Sequence, residues 1–152
     1  DKGRTFEEGV TILSAQFPQY ADLIRAYHEN WVDSIGESFT GTVEILKRLK
    51  KAGYPLYGFS NWSAETFPYA RAKYDFFELF DDMVISGEVG FVKPEPEIYQ
   101  VLLNKVGRPA DECLFIDDSL PNIQQANKIG FATIHFQSPS QLEEELKQLQ
   151  LI

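Results

Sequence analysis

The stretch CLFIDDSLPNIQQANKIGFATIHF, residues 113–136, decides the fold. It opens on an apolar run, Cys113 to Ile116, which reads as a buried strand. Two adjacent carboxylates, Asp117 and Asp118, end the run. Ser119 follows as a candidate N-cap. The helix PNIQQANKIG comes next, with Gly130 as its stop. FATIHF is a second strand. A strand, a helix and a strand in so short a span make a βαβ unit, whose strands are parallel. Two neighbouring like charges repel, and beside a sheet they lose part of their solvation. Something positive has to offset them.

Working outward, the same alternation runs from residue 41 to the end. TVEILKRLKKAG is an amphipathic helix closed by Gly53. PLYGFS, residues 55–60, is a short buried strand. The pattern predicts a helix from Ser63 to about Tyr74, a helical turn at FFELF and a strand at DMVIS, residues 82–86. EPEIYQVLLNKVG is a helix stopped by Gly107, and SPSQLEEELKQLQ is a last helix entered through Ser138 and Pro139. The predicted fold class is α/β, a Rossmann-like parallel sheet with helices on both faces. Residues 1–40 read differently, as helix only. Thr5 and Glu8 form a capping box ahead of Val10, Ile12 and Leu13. Pro18 breaks the pattern, and YADLIRAYHENWV continues it with Leu23, Ile24, Tyr27 and Trp31 at helical spacing. GESFTG, residues 36–41, separates the two regions.

Composition narrows the function classes. The 152 residues carry 14 Lys and Arg against 23 Asp and Glu, a net charge of −9. That balance argues against a nucleic-acid or bilayer-surface role, since both favour a basic face. No apolar run reaches membrane-spanning length. Cys113 is the only cysteine, so no internal disulfide forms, and the N-terminus lacks the features of a signal peptide. These features predict a cytoplasmic setting.

In parallel α/β sheets, ligands bind beyond the carboxyl ends of the strands. After the first strand stand Ser60 and Asn61, after the second Lys93, and after the third Asp117 and Asp118. Taken singly, each has an ordinary structural reading: Ser-Asn as a turn, Lys93 as a solvated surface lysine, Asp118 as a helix cap. Together they supply hydrogen-bond donors and an ammonium suited to a phosphoryl group, with hard oxygen ligands suited to Mg²⁺. Trp62 follows Ser60 closely enough to border a substrate. His28 and His135 show no metal-ligand spacing and read as structural.

This ordered set resembles the haloacid dehalogenase-like hydrolase superfamily. The second family motif is similar to LYGFSN, the third to VKPEPEIY and the fourth to LFIDDSLPNIQQANKIG; the resemblance covers residues 41–138. Residues 1–40 resemble part of the helical cap of subfamily I, leaving residues 41–152 as the α/β core. The resemblance implies that Ser60, helped by Asn61, binds the transferring phosphoryl group. It implies that Lys93 holds the nucleophile and that group, that Asp118 is the direct Mg²⁺ ligand, and that Asp117 is a neighbouring ligand or its supporting partner. Asn122 stands where some members carry a further Asp.

One family element is missing from the chain. The family's first motif, Asp-x-Asp after an apolar strand, supplies the nucleophile. Asp1, Asp22, Asp33, Asp75, Asp81, Asp82 and Asp111 are the remaining aspartates, and none follows an apolar strand or has an Asp two positions on. In the family that motif ends the central strand. The chain is therefore expected to be a fragment, inactive alone, with a sheet that lacks its first strand. The intact protein is expected to be a Mg²⁺-dependent phosphomonoesterase for a small phosphorylated metabolite, acting through an aspartyl-phosphate. The 2-haloacid dehalogenases of the same superfamily need no metal and replace the acidic pair with polar residues, so IDDS favours the phosphatase. A non-catalytic phosphate- or metal-binding fragment is the remaining alternative.

Overall fold

The computed structural model describes residues 2–152. Two helices open the chain, α1 (Phe6–Gln16) and α2 (Ala21–Glu29), joined by a short 3-10 turn at Pro18–Tyr20. The expected capping box starts α1: Thr5 accepts from the Glu8 amide and the Glu8 side chain reaches back to Thr5. The second helix is shorter than predicted. It ends at Glu29, and Trp31–Ser34 tighten into a 3-10 turn. No residue of α1 or α2 is buried, and Ile12, Leu23 and Tyr27 are exposed on this pair.

The alternating region follows as α3 (Thr40–Lys51), β1 (Tyr57–Ser60), α4 (Phe67–Lys73), β2 (Asp82–Ile85), α5 (Ser86–Val89), α6 (Pro96–Val106), β3 (Leu114–Asp117), α7 (Leu120–Ile129), β4 (Ala132–His135) and α8 (Pro139–Gln148). Gly107 and Gly130 end α6 and α7 in the left-handed conformation, at φ 67° and 109°, where a side chain would be strained. Ser138 caps α8 through a capping box with Gln141. Ser119 holds the N-cap position of α7 but makes no side-chain cap bond. The helix predicted from Ser63 begins only at Phe67, because Ser63–Thr66 form a turn and Pro68 fits only the first turn of a helix.

β1 pairs in parallel with β2, in the register Tyr57 to Asp82. β3 pairs in parallel with β4, in the register Leu114 to Ala132. The two pairs are separate sheets, with no hydrogen-bonded neighbour between β1 and β3. Side-chain packing joins them, with side-chain hydrogen bonds at the Lys93 end. Strand side chains alternate faces, and β3 shows it. Phe115 enters one cluster, with Val84, Ile98, Tyr99, Leu102, Ile123 and Phe131, while Leu114 and Ile116 pack against the other, Ile45, Leu49, Ile134, Leu142 and Leu146. Helices α6 and α7 thus cover one face and α3 and α8 the other. Between the half-sheets lies an apolar slot of about 840 Å³, lined by Tyr57–Phe59 of β1 and Leu114–Ile116 of β3. Among the described residues, no helix is long and apolar enough to cross a membrane.

Candidate active site

The carboxyl ends of β1 and β3, which do not pair with each other, meet at Lys93. Its ammonium donates to the Phe59 carbonyl at 2.8 Å and to Asp117 Oδ2 at 2.7 Å. It also stands 4.9 Å from the centroid of the Phe59 ring. Both members of the ion pair are buried, with side-chain exposures of 9% and 5%. Lysine has three N–H donors, so one remains for an incoming anion. The sequence question about Asp117 is thus answered within the chain: Lys93 offsets its charge.

Asp117 is fully engaged by protein. Its Oδ1 accepts from the Ser119 amide at 2.8 Å and from Asn122 Nδ2 at 2.9 Å, while Oδ2 takes Lys93. Asn122 is buried, and its carbonyl accepts from the Tyr99 hydroxyl at 3.0 Å. Burial first, and the nearby Asp117 charge second, raise the Tyr99 phenol far above its ordinary range. Asp117 therefore acts as the partner that orients Lys93.

Asp118 differs from its neighbour. Its side chain is exposed and finds no protein hydrogen-bond partner among the described residues. Its backbone carbonyl is held by His135 Nε2 at 2.9 Å, which fixes the turn that presents the carboxylate. An exposed, uncommitted hard oxygen donor fits Mg²⁺, which commonly takes one or two carboxylates and fills its octahedron with water and phosphate oxygens. Among the described residues no group of three His, Cys, Asp or Glu side chains gathers at one point. Asp118 would be one ligand of several.

Ser60 ends β1, half-buried, and its hydroxyl has no protein partner among the described residues. Asn61 departs from expectation. Its Oδ1 accepts from the Lys93 amide at 2.8 Å and its Nδ2 donates to the Lys93 carbonyl at 2.9 Å. The side chain expected on a phosphoryl group instead clamps the Lys93 backbone. The Lys93–Pro94 peptide is cis.

The other aspartates lie elsewhere. Asp82 opens β2, at the end away from Lys93, and pairs with Lys105; Asp81 pairs with Lys50 and accepts from the Leu56 amide. Asp1 lies outside the described residues. Sequence reasoning missed Ser86, which is fully buried and accepts from the Trp62 amide at 3.0 Å, fixing the loop after Ser60. A polar residue closing an apolar strand run was its only signal.

The profile of the haloacid dehalogenase-like hydrolases matches residues 3–130. The chain belongs to that family. It is 31% identical over 105 residues to a sesquiterpene phosphatase of Aspergillus oryzae, covering 69% of this chain and 54% of that protein. It is 27% identical over 97 residues to (S)-2-haloacid dehalogenase 4A of Burkholderia cepacia, covering 64% of this chain and 42% of that one. The chain thus spans about half, or less, of the length of these relatives. A family enzyme of Bacteroides thetaiotaomicron, crystallised as an aspartate-to-alanine mutant with magnesium and inorganic phosphate, superposes with a TM-score of 0.73. It is 22% identical and covers 90% of this chain and 73% of that one, a likeness of fold.

Proposed function

We propose that this chain is part of a Mg²⁺-dependent phosphomonoesterase acting on a small phosphorylated metabolite. The observation that carries the reading is Asp118, a carboxylate held at the site with no protein partner among the described residues, beside a buried lysine that keeps one donor free. Dehalogenation needs no such carboxylate. The similarity to a phosphatase and the magnesium and phosphate bound by a structural neighbour support the reading. In it, Ser60 donates its hydroxyl hydrogen to the phosphoryl oxygens, Lys93 neutralises developing charge, Asn61 and Asp117 hold Lys93 in position, and Asp118 ligates Mg²⁺. The metal would polarise the phosphoryl group and offset its charge. Residues 1–40 act as part of a cap, and residues 41–152 form the core. The lone Cys113 suits a reducing, cytoplasmic setting.

The nucleophile is proposed to lie on a strand that fills the slot between β1 and β3. Unpaired strand edges and a large apolar slot are each costly to leave exposed. Such a strand would end its carboxylate beside Lys93. That carboxylate would attack phosphorus, the ester oxygen would leave with a proton from the second Asp of the motif, and water, giving its proton to that same Asp, would then hydrolyse the acyl phosphate.

The test is turnover of p-nitrophenyl phosphate by the protein carrying that strand. Hydrolysis should require Mg²⁺ and vanish in Asp118→Asn. Turnover that survives a chelator and this substitution would refute the metal assignment. The present chain alone should bind phosphate without turnover.

A further inference from the structure

A second cavity, of about 350 Å³, lies between the linker after α2 and the loop after β1. Aromatic rings dominate its wall: Trp31 and Trp62, the only two tryptophans in the chain, with Tyr74, Phe76 and Phe77. The indoles of Trp31 and Trp62 meet edge to face at 6.2 Å. Three polar tips of this wall are turned into protein. Trp62 Nε1 donates to Thr66 Oγ1 at 3.1 Å, the Tyr74 hydroxyl donates to the Gly36 carbonyl, and Ser34 donates to the Trp31 carbonyl at 2.6 Å. What the wall offers is chiefly hydrocarbon and ring surface. Among the described residues no cation lines it; Lys73, nearby, commits its ammonium to the Ile35 carbonyl at 2.7 Å. Glu37 is the one charged residue among those described that line it. A phosphate would be repelled here, and a polyol would find few partners for its hydroxyls.

One wall residue ties the cavity to the site. Trp62 follows Ser60 by two residues, which bounds their Cα separation at about 7 Å. The Trp62 amide and carbonyl are pinned by Ser86 Oγ and the Gly87 amide, so the indole is carried by a fixed loop. Its volume is at the lower end of ligand sites, about 300–1,000 Å³.

We infer that this cavity holds the apolar alcohol portion of the substrate while Ser60 and Lys93 hold its phosphoryl group, so that the substrate class is a phosphomonoester of a hydrocarbon alcohol. The inference rests on the proposed phosphatase reading and narrows its substrate. Selectivity would come from ring contact and desolvation, with little hydrogen bonding to the alcohol portion.

The two tryptophans make the cavity self-reporting. The chain is titrated with n-octyl phosphate below its micellar range, and in parallel with glycerol 3-phosphate, adenosine monophosphate and octanol, following tryptophan emission. Octyl phosphate should change the emission and bind at least about tenfold more tightly than glycerol phosphate. Truncating one well-buried ring contact should weaken it about tenfold or more. Trp62→Ala, read through Trp31, and Phe76→Ala are the variants, and binding of inorganic phosphate should survive both. Ser38→Phe, which fills the cavity from the linker, is a second route to the same loss should either truncation fail to fold. Glycerol phosphate or adenosine monophosphate binding as tightly as octyl phosphate would overturn the inference. So would indifference to all three substitutions. Octanol binding as tightly as octyl phosphate would also overturn it, because the cavity would then be separate from the phosphate site. Octyl phosphate bound as expected, yet never hydrolysed by the Mg²⁺-loaded intact protein, would instead count against the phosphatase reading alone.

Discussion

Asp117→Asn isolates what the buried ion pair contributes. The substitution keeps the side chain's size, removes its charge and turns one of its two acceptor oxygens into a donor. Lys93 would then stay 9% exposed with an ammonium that has lost its anionic partner and keeps only neutral oxygens such as the Phe59 carbonyl. Removing one member of a buried pair costs about 3–5 kcal/mol, because the other charge is left uncompensated. A domain of this size has about 5–15 kcal/mol in all, so the variant should approach the edge of folding. With a urea slope of about 2 kcal/mol per molar, the midpoint should fall by about 2 M. Equilibrium unfolding followed by circular dichroism reads this directly. Adding Lys93→Met removes the stranded charge and should restore more than half of the loss, since apolar replacement of a buried pair is often near neutral. A single-variant shift below about 0.3 M, by the same slope, would refute the reasoning and mean that water screens the pair.

Gly87→Ala should cost about 3 kcal/mol or more, since its new methyl would stand 2.4 Å from the Ala64 amide nitrogen and 2.8 Å from the Trp62 carbonyl, both backbone. Gly58→Ala meets only the Met83 side chain, its methyl at 2.6 Å and its Cγ at 3.0 Å, and should cost about 1 kcal/mol by thermal unfolding; equal losses would contradict this account. Hydrogen bonds from Lys147 and Arg48 hold Glu143 down to about 2 from an ordinary 4.5. A carboxylate depressed in the fold gives stability that is complete above its ordinary value and lost as pH falls toward the folded one. Glu143→Gln should therefore flatten the acid limb between about pH 4.5 and 2, and an unchanged limb would rule out the effect. Asn61→Ala leaves the Lys93 amide and carbonyl without partners. It should cost about 1–3 kcal/mol and weaken inorganic phosphate binding in a calorimetric titration; undiminished phosphate affinity would show that Lys93 needs no clamp.

The parts of the fold set by local chemistry could be read from the sequence. Gly107, Gly130 and the Thr5 and Ser138 capping boxes each act within a few residues, and each stands where the pattern predicted. The start of α4 was not legible, because the Ser63–Thr66 turn competes with a helix on nearly equal terms until Pro68 decides it. The site residues were legible as a set at strand ends, but not in their individual roles. Asn61 follows a strand in a loop, where spacing does not fix side-chain direction, and it turns to the Lys93 backbone. The resemblance alone separated Asp118 from Asp117 in role; strand alternation buries the first of the pair, and the turn held by His135 exposes the second. In the proposed reading, the strand that carries the Asp-x-Asp would join the two strand pairs.

Lys93 has a mechanical side as well. It leaves the β2 side of the seam, touches β1 through the Phe59 carbonyl and ends on Asp117 of β3. The half-sheets share no backbone hydrogen bonds, and the packing that joins them is non-directional. An ammonium on a four-carbon stem is thus a spacer of fixed reach at the mouth of the slot. It sets how far apart the carboxyl ends of β1 and β3 stand, and so the gauge that any strand entering between them has to meet.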